Sequence, residues 1–503
     1  MIIKLINKTK VIIENKPISS YFVFALISSI ILNFGIFKDY AFRDAYEYIW
    51  TAKNSHTFMN EFVQGGRFLL GIICKIVYGY LCDSISDLKW VRLFSLVTSV
   101  IFSTQIFSFL LKQKLKIYET VLFSFLILTI PSFTVYIGWT ATHEIPLILN
   151  IAFYSGLLLL KVPDKKKNVI LIYLFALFLI LICLCIYQPA ATAVIIPFVL
   201  SVVISKNFVL KKAIKFIAFL GIAFIFYFLI FKLSLNWFGL EPTKRAEVEI
   251  LKIPFNVILF YLKEMRTLLY GSGILIFPAL FFMIGAFSFF GFFYSIFQKR
   301  TNISQFFLFM PFLILVFPLS YAPNILSSAN YLCARTIAPA AVLLFFYQFI
   351  FLRELCIKKN LFKIPVLILA ITIIIISSLN QNIYIAKIQN KEYLAIKKAY
   401  NNISLDDRKK IIIIKPNENF LQEFKFYKRI YADEFAQVSS SRSWVPKPMF
   451  NQILKERLDA LGIKKSDFSP NDIEVYGAQE KYEENNTIVI NLIEILKNEF
   501  EQN

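Results

Sequence analysis

A chain of 503 residues with 57% hydrophobic and only 17% charged residues, 55 of its residues phenylalanine, is not a water-soluble composition. The net charge of +21 would suit a nucleic-acid partner, but the lysines sit in short clusters between apolar runs. That is the distribution of cytoplasmic loops, so a bilayer is expected as the partner and nucleic acid is not.

The N-terminus carries Lys4, Lys8, Lys10 and Lys16 and enters an apolar run without a cleavage pattern, which reads as an uncleaved start helix. Runs long enough to cross the bilayer follow near Ile18–Phe37, Leu93–Leu111, Tyr118–Trp139, Ile145–Leu160, Val169–Ile186 and Ala190–Ile204. Others lie near Phe216–Phe231, Ile274–Phe297, Phe306–Tyr321, Ile337–Leu352 and Ile364–Leu379, for about eleven spans in all. Phe68–Leu81 is also apolar, but it is short and carries Lys75 in its middle. If it crossed, the clusters around Lys112–Lys116, Lys161–Lys167, Lys206–Lys215, Lys299/Arg300 and Arg353–Lys363 would all face outward. Laid in the outer interface as an amphipathic helix, it returns every cluster to the cytoplasm, as the positive-inside bias requires. The N-terminus is then cytoplasmic.

Three long outer loops follow from this threading: Lys38–Arg92, Leu235–Gly273 with a second interfacial helix around Val257–Tyr270, and Ala322–Arg335. Gly138–Glu144 and Tyr187–Pro189 are tight outer turns. Trp90, Trp139 and Trp237 fall at membrane ends, where indoles favour the headgroup layer. After Leu379 the composition turns charged and mixed. Lys391–Asn402 and Pro448–Leu461 read as helices, Lys410–Lys415 as a buried strand, and Thr487–Leu496 as either. The division expected is a membrane domain at 1–379 and a small soluble α/β domain at 380–503, on the periplasmic or extracellular side. The sequon at 485–487 is frequent by chance and carries no argument.

Ionisable groups gather at the outer face rather than at mid-membrane: Lys38, Asp39, Arg43, Asp44, Glu47 and Arg67, then His143 and Glu144, then Arg335. Transporters place polar groups near the midplane, whereas an enzyme on a lipid-linked substrate places them at headgroup level. Arginines suit a lipid phosphate because a planar guanidinium makes two hydrogen bonds to its oxygens. A carboxylate is needed to take the proton of an acceptor hydroxyl, and Asp39, Asp44 and Glu144 are available. His143 reads as a structural hydrogen-bonder. Six cysteines form no CxxC pair and only two histidines are present, so no metal ligand set is assigned.

The strings FKDYAFRDAYEYIW (from Phe37), GGRFLLGIICK (from Gly65), YIGWTATHEIPLIL (from Tyr136), CIYQPAATAVIIP (from Cys185) and SYAPNILSSANYLCARTIAP (from Ser320) together resemble the serotype-converting glucosyl transferase II family. The resemblance covers most of Phe37–Pro339 in order. It implies a GT-C-type enzyme that moves glucose from a polyprenyl-phosphate carrier onto O-antigen or a related surface glycan, outside a bacterial inner membrane. Carried over by position, Asp39 stands at the family's acidic pair, with Arg43 close behind. Arg67 is the arginine of the Gly-Arg motif, Glu144 a commonly acidic turn position, Tyr187 and Gln188 the Tyr-Gln motif, and Arg335 a late arginine. Asp39, Asp44 and Glu144 are then the catalytic candidates, and Arg43, Arg67, Tyr187, Gln188 and Arg335 the substrate-binding ones. The acidic pair is reduced here to Lys38–Asp39, which leaves both the base and the use of a divalent cation, Mg2+ or Mn2+, open. A glycan polymerase or ligase using a diphosphate-linked oligosaccharide is the alternative within the same chemistry; a transporter or lipid flippase is the alternative outside it.

Overall fold

The computed structural model describes residues 16–161, 169–205, 208–271, 278–299, 303–329, 332–403, 410–424, 437–463, 473–480 and 487–501. Lys4, Lys8, Lys10, Lys165, Lys166, Lys167, Lys206, Arg300, both asparagines of the sequon and the first residues of the run predicted from Ile274 lie outside them. Among the described residues the chain is a helical, multi-pass membrane protein with a small α/β unit near its C-terminal end.

Helix α1 (Pro17–Leu32) starts with proline in its first turn, where a missing N–H costs nothing, and packs on α5 (Leu88–Lys112). Between them the first loop holds three short helices: α2 (Asp44–Asn54), α3 (Phe58–Gln64) and α4 (Phe68–Ile76). A π-turn carries α4 on to Leu81. Leu70, Gly71, Cys74 and Tyr78 are buried, while Ile72, Ile76, Tyr80 and Leu81 are exposed. This is the amphipathic segment expected over Phe68–Leu81, and it is too short to rank among the crossing helices.

The expected third span is a broken one. Helices α6 (Ile117–Ile127) and α7 (Pro131–Gly138) meet at 54° because Pro131 cannot continue the hydrogen-bond ladder. Then come α8 (Ile145–Leu160), α9 (Val169–Ile186), α10 (Gln188–Ser205) and α11 (Leu210–Phe238). Helix α9 is apolar all round. It buries Ala176, Ile180, Cys183 and Leu184 and leaves Ile170, Leu171, Leu174, Phe175 and Phe178 exposed, as a helix against lipid does. A Cβ added to Gly156 on α8 would lie 2.2 Å from the Val194 carbonyl oxygen of α10, so only glycine allows this close helix approach.

After α12 (Ile253–Leu259) and α13 (Met265–Leu269), where the second interfacial helix is expected, come α14 (Pro278–Lys299) and α15 (Ile303–Leu319). The short α16 (Ala322–Leu326), then α17 (Ala338–Lys358) and α18 (Lys363–Leu379) complete the bundle. Each of the eleven expected spans meets a helix or the bent pair. Among the described residues eight helices are long and apolar enough to cross by themselves, nine with the pair counted once. The shortfall falls on Pro17–Leu32 and Phe307–Leu319, whose regular apolar stretches are shorter than a full crossing.

The composition change at Leu379 lies inside a continuous helix, Asn360–Asn401, in which a π-turn over Asn380–Lys387 joins α18 to α19 (Ile388–Asn401). The chain thus enters its C-terminal unit along a strut rather than a linker. That unit is a parallel sheet in the order β2 (Ile473–Gly477), β1 (Lys410–Lys415), β3 (Thr487–Asn491), with Ile413 opposite Val475 and Ile490. Helices α20 (Pro446–Leu461) and α21 (Leu492–Glu501) pack on it, and Ile411–Ile414 are all buried, as a central parallel strand requires. The ambiguous stretch Thr487–Leu496 is a strand for five residues and a helix thereafter.

Candidate functional site

The Gly-Gly-Arg motif is the end of α3 and the start of α4. The Gly66 N–H donates to the Val63 carbonyl and the Arg67 N–H to the Phe62 carbonyl at 2.7 Å, the paired bonds of a Schellman cap. Gly66 takes φ +70°, a left-handed conformation that L side chains resist, and a Cβ there would lie 2.2 Å from Tyr227 Oη. The Tyr-Gln motif meets the same turn. Gln188 Nε2 lies 3.0 Å from the Gly66 carbonyl oxygen and 2.6 Å from Tyr227 Oη, and Tyr227 Oη donates to that same carbonyl at 3.1 Å. Two motifs 122 residues apart thus fix one turn. The turn aims Arg67.

Arg67 and Arg335 converge. Both lie within electrostatic reach of the half-buried Tyr48 and of Glu144, and Asp44 also acts on Tyr48. The Arg335 guanidinium sits 4.5 Å above the Trp139 ring, a cation–π contact. Its loop is tied to α7: Ser132 Oγ donates to the Ala334 carbonyl at 2.6 Å and Tyr136 Oη to the Arg335 carbonyl at 2.7 Å. Trp139 is only 2% exposed and packs edge-on to Phe42, which corrects its expected role as a headgroup anchor. Trp90 and Trp237 are exposed. Glu144 is 2% exposed, with its Oε2 3.4 Å from His143 Nδ1; that nitrogen donates to the Thr140 carbonyl at 2.8 Å, the structural role expected of His143. Tyr187 is buried at the junction of α9 and α10, near Tyr321.

The remaining predicted residues are held by the C-terminal unit. Trp444 Nε1 donates to Asp44 Oδ1 at 3.2 Å. Arg43, 7% exposed, has φ +44°, strained for a non-glycine residue; its N–H donates to Ser439 Oγ at 3.0 Å and its Nη2 to Gln437 Oε1 at 2.9 Å. Ser439 and Ser440 N–H groups both donate to the buried Glu392 carboxylate at 2.7 Å, which fixes the loop to α19. The charge of Asp39 acts instead on Arg92 and Tyr393, and Asn390 donates to its carbonyl at 2.7 Å. The fully buried Arg92 donates to the carbonyls of Ile36, Lys38 and Tyr40 and lies 3.9 Å over the Tyr40 ring. It therefore clamps the chain around Asp39 from three sides.

On α2, one turn beyond Asp44, burial and then the negative charges of Glu61 and Asp44 push the Glu47 carboxyl up to about 7. Among the described residues no group of three or more His, Cys, Asp or Glu side chains could hold a metal ion. Two guanidinium groups, Arg67 and Arg335, thus act together on the buried Glu144 and on Tyr48, on which the half-buried Asp44 also acts.

Sequence reasoning did not single out Arg92, Tyr227, Gln437, Ser439 or Trp444. Arg92 was detectable in principle, as an isolated arginine entering an apolar helix that needs a buried partner. Trp444 and Ser439 carry no such signal, since their role arises from docking across some 400 residues of chain. Comparison with models of known families, with curated proteins and with solved structures finds no match for this chain.

Proposed function

We propose that the chain is a GT-C-type glycosyltransferase that moves a hexose, glucose by the resemblance, from a polyprenyl-phosphate carrier to a surface glycan such as O-antigen at the outer face of a bacterial inner membrane. The observation that carries this reading is the convergence of Arg67 and Arg335 on Tyr48 and Glu144, with Asp44 beside them. In this reading the two guanidinium groups hold the carrier's phosphate and stabilise the charge it gains as the sugar leaves. Asp44 takes the proton from the acceptor hydroxyl, whose oxygen bonds to the anomeric carbon while the bond from that carbon to the phosphate oxygen breaks. The carrier departs as polyprenyl phosphate.

Asp44 is preferred to the other acids on its surroundings. Asp44 acts on Tyr48 together with Arg67 and Arg335, whereas Glu144 is enclosed and the charge of Asp39 acts on Arg92 and Tyr393. The test is to incubate the purified full-length protein with acceptor glycan and either a polyprenyl-monophosphate hexose or a polyprenyl-diphosphate oligosaccharide. Consumption of the monophosphate donor, with one hexose added to the acceptor by mass spectrometry, is the expected result. Consumption of the diphosphate donor alone, or carrier-dependent uptake into proteoliposomes without a covalent product, overturns it.

A further inference from the structure

At the other end of the bundle lies a cavity of about 560 Å³ between α1, α5, α8, α10 and the start of α11. Helix α8 begins beside Glu144 and ends beside Lys161, so the two ends lie about 24 Å apart. Likewise α5 carries Arg92 near its start and Lys112 at its end. The cavity's cations, Lys112, Lys161 and Lys212, come from the ends of three different helices. All three are exposed residues that also line the cavity. Six neutral polar side chains line it as well, Gln105, Ser108 and Ser201 among them, and among the described residues no carboxylate does. The Gln105 side-chain oxygen is buried with no hydrogen-bond partner among the described residues. The rest of the wall is apolar, with Phe22 of α1 and Leu157 of α8 on it.

A basic loop explains lysines at a membrane face, but not a concavity with hydrogen-bonding side chains beneath them and apolar walls beside them. A phosphate would meet three ammonium groups and the polar side chains of Ser108, Ser201 and Gln105, and among the described residues no acid lines the cavity to repel it. An apolar wall in the same cavity favours a phosphate that carries acyl chains over a free one. We infer that this cavity is a binding site for an anionic phospholipid of the leaflet opposite the Arg67–Arg335 cluster, its headgroup phosphate held by Lys112, Lys161 and Lys212. The site is separate from the proposed transfer reaction and needs no activity to be read.

The experiment uses the full-length protein released from nanodiscs and read by native mass spectrometry, with phosphatidylglycerol, phosphatidylcholine or inorganic phosphate as the probe. Retention of phosphatidylglycerol over phosphatidylcholine is expected. The triple variant Lys112→Gln, Lys161→Gln, Lys212→Gln should lower phosphatidylglycerol affinity roughly tenfold or more. The control triple Lys114→Gln, Lys358→Gln, Lys359→Gln removes equal charge outside the cavity and should leave affinity nearly unchanged. Ser201→Leu, which keeps all the charge and fills the wall, should also weaken retention. Equal losses in the two lysine triples would reduce the site to a diffuse basic surface and overturn the inference. So would the absence of a headgroup preference, or protection by inorganic phosphate equal to that by phosphatidylglycerol.

Discussion

The two arginines of the first loop are built in opposite ways. Arg67 is aimed by the membrane domain alone: a glycine in a left-handed turn, Gln188 from α10 and Tyr227 from α11. Arg43 and its neighbour Asp44 are held from outside, by Ser439, Gln437 and Trp444 of the C-terminal unit. In the proposed function the donor-phosphate side would thus be part of the helical core, whereas the acceptor side would be completed by docking. Substitutions on the two sides should therefore separate in kinetics.

The largest effects belong to the groups proposed to touch the reacting atoms. Asp44→Asn removes the base and should lower kcat by about 10²–10⁴, with the protein still inserted and monodisperse in detergent. Arg67→Ala should cost about 10²–10³ and Arg67→Lys less, because an ammonium keeps the charge but not the two-pronged contact. Asp39→Asn is the contrasting case. If it abolished transfer while Asp44→Asn did not, the base would be Asp39, and the reading of Asp39 as Arg92's partner would fail.

Next come the residues that act through others. Gly66→Ala meets both the φ +70° strain and Tyr227 Oη, and should raise the donor KM about tenfold as Arg67 loses its aim. Tyr227→Phe in the same chain removes the blocking oxygen but not the backbone strain, so partial recovery is expected. On the other side, Trp444→Phe removes the hydrogen bond to Asp44 while keeping an aromatic ring there, and should lower kcat about threefold to tenfold with donor KM unchanged. A donor KM that moved as much in Trp444→Phe as in Gly66→Ala would erase the distinction between the two sides.

The same asymmetry governs what could be read from the sequence. Arg67 and Arg335 stood out because charge beside apolar helices is a local signal, whereas Gly65–Gly66 and Tyr187–Gln188 stood out only through the family resemblance. The structure brings Gln188 onto the Gly66 turn, while Tyr187 belongs to the core. The helices were legible for the same reason, since bilayer length and lysine clusters are local properties. The Ile411–Ile414 strand was legible as an unbroken branched run, whereas β3 was legible only as a stretch that could be strand or helix and β2 not at all, because parallel pairing is non-local. The docking of Ser439 and Trp444 on α2 left no trace in composition. Neither did the burial of Arg92 against the Ile36, Lys38 and Tyr40 carbonyls, which depends on how the first loop folds over α5.

The smallest effect tests the acidic environment of α2. The Glu47 carboxyl is raised to about 7 by burial and by Glu61 and Asp44, so the fold favours its protonated form more than the unfolded chain does. The protonated group costs nothing below the ordinary glutamate range. As the pH rises from there through about 7, the unfolded chain has already released the proton, and the fold bears a growing penalty that levels off once Glu47 is ionised in both states. Glu47→Gln is neutral throughout and removes that slope. Thermal unfolding in detergent should therefore give equal Tm values for the two proteins near pH 4, with the variant ahead by roughly 1–3 °C at pH 8, a small gap because water screens the half-buried group. Parallel Tm curves across that range would mean that Glu47 titrates normally, and that the acids on α2 and α3 are too far apart or too wet to act on one another. Asp44 would then face the acceptor without a neighbouring acid to modulate it.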